Sequence, residues 1–152
     1  MAPFPVERAM TARIPGIKRK NVGITVSTLV DFPVRGLVFE AGSSLVELAD
    51  AVGQACMKLQ DRNIPFNLLI VDRGARVFLL PQQYAEMQEK NLVAEDLLDT
   101  QVNPACFEIS GHIVLKRAQD FEDVSEEFIC RLLAECSLPE GRFKELCKMC
   151  LQ

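Results

Sequence analysis

Phe66-Asn67-Leu68-Leu69-Ile70-Val71, then Asp72-Arg73-Gly74-Ala75, then Arg76-Val77-Phe78-Leu79-Leu80-Pro81 is the stretch whose reading decides the fold. Two β-rich runs on either side of a glycine turn predict a hairpin. Both runs are apolar at successive positions instead of alternating, so side chains on both sheet faces are expected to be buried. Something must then cover each face, either helices of this chain or polypeptide beyond it.

Upstream, Leu37-Val38-Phe39-Glu40 reads as a short strand stopped by Gly42. Ser44 and Glu47 have capping-box spacing, in which the serine oxygen accepts from a first-turn N–H and the glutamate reaches back. Leu45, Leu48, Ala49, Val52, Cys56 and Leu59 then recur every three or four residues, predicting an amphipathic helix to about Arg62, before Asn63 and Pro65. Residues 1–35 are proline-rich and weakly periodic and read as an extended leading segment ahead of an α+β domain over 36–152.

Downstream, Tyr84 to Asn91 reads as a short helix and Ala94 to Asp99 as an acidic helical turn. Phe107 to Lys116 is expected to be a strand, with Ile109, Ile113 and Leu115 on one face and Ser110, His112, Val114 and Lys116 on the other. Ser125 can cap a helix whose first turn holds Glu126 and Glu127, where negative charge suits the dipole, and whose apolar stripe is Ile129, Leu132, Leu133 and Cys136. Ser137 and Glu140 repeat the capping-box spacing with Pro139 in the first turn, and the last helix carries Phe143, Leu146, Cys147 and Cys150 on one face. Helical layers around an antiparallel sheet make the fold class α+β.

Composition narrows the function. The 152 residues are 49% hydrophobic and 25% charged, an ordinary globular balance that favours one domain. The longest apolar runs fall short of a membrane span, and Met1-Ala2-Pro3-Phe4-Pro5 lacks the apolar core of a secretory signal. A net charge of −4 speaks against a general nucleic-acid binder. The expected location is cytoplasmic, with Lys18-Arg19-Lys20 either a solvated basic cluster or a nuclear localisation signal.

Chemistry-bearing residues are few. His112 is the only histidine, so no triad or two-histidine metal helix can be assembled from this chain alone. With Lys116 on the same strand face it is a candidate acid, base or phosphate contact, or else an ordinary hydrogen-bonded histidine. Gly111 beside it permits close approach of a ligand or another backbone. Arg73 and Arg76 flank the hairpin turn and either hold an anion or are solvated. Cys147-Lys148-Met149-Cys150 has C-x-x-C spacing, but there is no second pair to complete a zinc site and no βαβ pattern to suggest a thioredoxin site. Its cysteines extend the apolar stripe begun by Phe143, so core packing is the reading, with a thiol or zinc module as the alternative. No metal and no cofactor are implied. Walker, G-x-G-x-x-G, H-E-x-x-H and G-x-S-x-G patterns do not occur.

Longer words are more specific. Asn63-Ile64-Pro65-Phe66-Asn67-Leu68-Leu69-Ile70, Phe78-Leu79-Leu80-Pro81-Gln82 with Tyr84-Ala85-Glu86, and Thr100-Gln101-Val102-Asn103-Pro104-Ala105 through Glu108-Ile109-Ser110-Gly111-His112 and Val114-Leu115-Lys116-Arg117 resemble the plant GDP-L-galactose phosphorylases of the GDP-hexose phosphorylase family. Leu132-Leu133-Ala134-Glu135, Arg142-Phe143-Lys144-Glu145, Pro3-Phe4-Pro5 and Pro33-Val34-Arg35 continue the match.

The resemblance implies the C-terminal portion of a histidine-triad, galactose-1-phosphate uridylyltransferase-like fold. It implies splitting of GDP-L-galactose by phosphate into GDP and L-galactose 1-phosphate, a step towards ascorbate, or action on GDP-D-glucose as in animal relatives. In such enzymes a guanylylated histidine lies in a histidine-rich strand just before the Pro-Phe-Pro segment. This chain begins at that segment, so no residue matches the nucleophile, no catalytic residue is assigned, and the isolated chain is expected to be inactive. Asn67, Gln82, Gly111, His112 and Lys116 lie in shared segments and are the candidate substrate contacts. The expected partners are GDP-hexose, phosphate and the missing N-terminal half. The alternative is a non-catalytic binding or regulatory module that pairs with a full-length phosphorylase. Cys106, Cys136 and Cys150 stand where the family carries apolar residues, Phe107 where tryptophan is usual, and Gln83 where a cysteine is expected.

Overall fold

A computed structural model describes residues 2–14 and 23–151; Lys18-Arg19-Lys20 lies outside the described residues. The hairpin forms as its sequence predicts, from β4 (Phe66–Val71) and β5 (Arg76–Pro81), paired antiparallel with Leu69 opposite Phe78. Asp72, Arg73 and Gly74 all take positive φ in the connection. That geometry suits glycine and carries strain at the other two residues.

Around the hairpin the sheet grows outward. β3 (Leu37–Ala41) pairs with β5, β2 (Ile24–Leu29) with β3 and β1 (Thr11–Arg13) with β2, all antiparallel, giving the order β1-β2-β3-β5-β4. The segment expected to lead in as extended chain therefore supplies two of the five strands. It also sends Val6 and Val34 fully into the core. The missed signal is in Ile24-Thr25-Val26-Ser27-Thr28-Leu29, which is rich in β-branched residues and has Ile24, Val26 and Ser27 buried.

The unbroken apolar run of β5 serves two layers. Val77 and Leu79 face one side, against α1 (Leu45–Asp61) and α7 (Glu140–Leu151). Leu48, Val52, Ala55 and Leu59 of the first helix and Phe143, Leu146, Cys147 and Cys150 of the last complete that core. Phe78 and Leu80 face the other side, with Val38, Phe4, Val6, Val34, Ile109 and Leu133. Both faces of this interior strand are thus covered by the chain's own residues.

Ser44 caps α1 by accepting from Glu47 N at 3.2 Å, but Glu47 reaches across to Gly23 N at 3.0 Å instead of closing the expected box. The apolar stripe is also rotated. Ala55 is buried, whereas Leu45 is 55% exposed and Ala49 faces solvent.

A third cluster holds α2 (Tyr84–Glu89) and α3 (Glu95–Asp99) against α6 (Glu126–Cys136), with Tyr84, Val93, Leu97, Val102, Leu132 and Cys136 buried together. Ser125 caps α6, accepting from Phe128 N at 3.1 Å. Ser137 does not cap the last helix. It closes the preceding one, its hydroxyl accepting from Arg35 N at 2.9 Å, and its backbone bridges to Gln82.

The strand expected over 107–116 is not formed. Cys106–Ile109 is a short helix, α4, closed by Ser110 and by Gly111 at φ +104, and residues 112–116 follow without ladder partners. Burial still alternates there, with Ile113 and Leu115 half-buried and His112, Val114 and Lys116 exposed. The period of two in the sequence reports a chain laid against the core, which needs no neighbouring strand. A further short helix, α5 (Ala118–Asp123), leads into α6.

Candidate functional site

The five candidate contacts fall into two groups and one outlier. At the ends of the hairpin strands, Gln82 Nε2 donates to Asn67 Oδ1 at 2.7 Å. Gln82 is held from behind as well, its backbone N donating to Pro65 O at 2.9 Å, while Gln83 N donates to Cys136 O at 2.9 Å. The pair is therefore fixed where the sheet meets the end of α6. Asn67 shares its sheet face with Leu69 and Val71, which pack into the core beneath α4. Above that face the Cys106 thiol of α4 donates to Leu68 O at 3.1 Å.

The second group is Gly111 and His112, and what approaches them is the leading segment of the same chain. A side-chain carbon on Gly111 would lie 2.7 Å from Pro5 Cβ. Positive φ and that approach together explain a glycine here. Val6 N donates to Ser110 O at 3.2 Å, and His112 N to Phe107 O at 2.9 Å. The exposed imidazole stacks on Phe4, centroids 4.3 Å apart. Phe107 joins the same cluster, 5.6 Å from Phe4. Among the described residues no side chain hydrogen-bonds the imidazole nitrogens, so nothing there orients it as a general base. Lys116 stands apart, exposed, four residues further along the irregular run.

Phe4 and Glu7 are the residues that sequence reasoning passed over as site-builders. Glu7 Oε1 accepts from Phe4 N at 2.8 Å, and Arg76 Nη1 donates to Glu7 O at 2.9 Å. Their signal was Phe4 between two prolines with a glutamate three residues on. Arg76 is committed to partners within the chain instead of a bound anion: its Nε lies 3.1 Å from Glu40 Oε1 and its guanidinium sits 4.8 Å over the Phe78 ring. Arg73 is exposed at the tip of the turn.

The C-x-x-C thiols lie in the core as the apolar stripe implies. Burial pushes the Cys147 thiol up to about 12 and the Cys150 thiol up to about 11, far from the thiolate that redox or metal chemistry uses. Cys136 is likewise pushed by burial to about 12. Among the described residues, no group of three or more His, Cys, Asp or Glu is placed to hold a metal ion, and no helix is long and apolar enough to cross a membrane.

A five-stranded antiparallel sheet with helices on both faces defines an α+β domain. The chain belongs to the family described as "GDPGP1-like, C-terminal domain", which it matches over residues 5–152. It is 53% identical over 144 residues to GDP-L-galactose phosphorylase 1 of Arabidopsis thaliana, covering 95% of this chain and 32% of that protein. The identity is also 53% over 143 residues to GDP-L-galactose phosphorylase 2 of Arabidopsis thaliana, covering 94% of this chain and 32% of that protein. GDP-D-glucose phosphorylase 1 of Danio rerio is 27% identical over 133 residues, 81% of this chain and 38% of that protein. The chain thus spans about a third of the length of the Arabidopsis relatives it matches. No solved structure matches it.

Proposed function

We propose that this chain forms the C-terminal domain of a GDP-hexose phosphorylase, supplying scaffold and substrate contacts to a nucleophile carried elsewhere. In this reading the reaction is phosphorolysis of GDP-L-galactose or GDP-D-glucose, within the histidine-triad superfamily, in the cytoplasm. The observation that carries it is the match over nearly the whole chain to a third of each Arabidopsis phosphorylase. The structure of the one histidine supports the division of labour. A nucleophilic histidine needs oriented partners, and His112 has a phenylalanine face and no hydrogen-bonded side chain among the described residues. Asn67 and Gln82 form one set of contacts and Gly111 and His112 another, with Lys116 a flanking cation.

Two assays test the proposal. The purified chain should release no GDP from GDP-L-galactose in phosphate. Added to the Arabidopsis enzyme stripped of its matching third, it should restore that release. Phosphate-dependent release by the chain alone that survives mutation of His112 would contradict the proposal, and release abolished by that mutation would relocate the nucleophile to His112.

A second reading, a non-catalytic module that pairs with an intact phosphorylase, is favoured by one feature. Strand β4 is an edge strand of uncharged residues with Ile70 60% exposed, the kind of edge to which another chain can add, although Cys106 of α4 already bonds Leu68 O. Capture of the intact Arabidopsis enzyme by the chain, without restoration of the stripped one, selects this reading.

A further inference from the structure

Three aromatic rings meet at one point of the surface. Phe107 is 62% exposed and His112 is exposed, while Phe4 lies beneath them at 9%. The Phe4 centroid is 5.6 Å from Phe107 and 4.3 Å from His112, with interplanar angles of 32° and 31°. A single exposed phenylalanine needs no explanation. Here Phe4, against which the exposed ring packs, and the residues around it are fastened while the Phe107 ring itself stays open. Phe4 is held through its N–H by Glu7, Val6 is tied to Ser110, and Pro5 is seated against Gly111. His112 N closes back on Phe107 O. Such pre-organised rings lose little conformational freedom when a flat ligand lies on them.

We infer that Phe107 and His112, backed by Phe4, are a stacking shelf for a purine base, the guanine of a GDP-sugar. The inference rests on the reading of this chain as part of a GDP-hexose phosphorylase. A purine offers the π-face that an exposed phenyl ring stacks against. The imidazole adds a second flat aromatic face beside the phenyl ring. The shelf binds the base, and the diphosphate and sugar extend beyond it.

His112 is the only histidine, so its ring-proton signals in a proton NMR spectrum are assigned without ambiguity. The probes are guanosine, GDP, UDP and pyrophosphate, added to the 152-residue chain. Guanosine and GDP should move those signals upfield by ring current, UDP less, and pyrophosphate not at all. Phe107→Ala should weaken guanosine binding by at least about fivefold, and Phe107→Trp should retain it. The Phe107 ring is mostly solvent-exposed, so an unchanged urea midpoint will show that the alanine variant is folded. No response to millimolar guanosine, an equal response to pyrophosphate, or undiminished binding by Phe107→Ala overturns the shelf. A chain that restores phosphorolysis yet ignores guanosine removes the shelf and leaves the family function standing. One that fails to restore it while binding guanosine through Phe107 does the reverse.

Discussion

Gly111→Ala tests how the leading segment is locked to the rest of the molecule. At φ +104 an alanine is strained whatever surrounds it, at a cost of about 1–3 kcal/mol. Its methyl would also sit 2.7 Å from Pro5 Cβ and 2.8 Å from Pro5 Cγ. Relief requires the Pro5–Arg8 turn to back away, which weakens the Val6 N to Ser110 O bond and lifts fully buried Val6 from its cluster. Losing that hydrogen bond costs about 0.5–1.5 kcal/mol. The expected loss is about 2–4 kcal/mol, read from urea unfolding followed by circular dichroism. Pro5→Gly removes the atoms that collide but not the backbone strain. In that background Gly111→Ala should cost less by about 0.5–2 kcal/mol, a coupling that a double-mutant cycle isolates. A loss below about 1 kcal/mol, or full additivity of the two changes, would refute the reasoning.

Leu48→Ala, at a side chain 2% exposed between α1 and the sheet, should cost roughly 2–5 kcal/mol in the same unfolding experiment. Ser125→Ala should cost about 1 kcal/mol by removing the oxygen that accepts from Phe128 N, and Ser125→Asp should recover most of it. The buried thiols set an alkaline limit. Cys136, Cys147 and Cys150 ionise near 9.0 when unfolded but only at about 12, 12 and 11 when folded. The unfolded state therefore releases protons first, and stability, fully present below pH 9, should fall as pH rises from about 9 towards 11 and 12. Replacing Cys136 with alanine should flatten that fall, as measured by urea midpoints at pH 8 and pH 10.

Much of the fold was legible because local signals and long-range packing agreed. The hairpin needed only two apolar runs and a glycine, and the unbroken hydrophobicity of β5 foretold its two covered faces, whereas β4, at the sheet edge, is only half-buried and leaves Ile70 exposed. Ser44 and Ser125 announced helix starts because a cap is a contact within one turn. Failures came where the deciding contact was distant. Glu47 had spacing for its own cap but was taken by Gly23, and Ser137 had spacing for the last helix but was taken by Arg35. Residues 112–116 alternate in burial without a ladder, and alternation alone cannot say whether a partner strand exists. The candidate site was legible only as separate words. Asn67 and Gln82 proved to be one hydrogen-bonded unit, while the tie between His112 and Phe4 spans more than two-thirds of the chain and leaves no periodic trace.

One core cluster contains both Ile24 and Cys150, residues near opposite ends of the described chain. During synthesis the strands emerge long before the closing helix that completes their apolar layer, so that layer waits, uncovered, for the final turns. Contacts of such sequence separation slow folding and prolong the interval in which nascent chains stick to one another. Losing the last two turns of α7 would strip Leu146, Cys147 and Cys150 from that layer together, leaving the sheet to seek cover elsewhere.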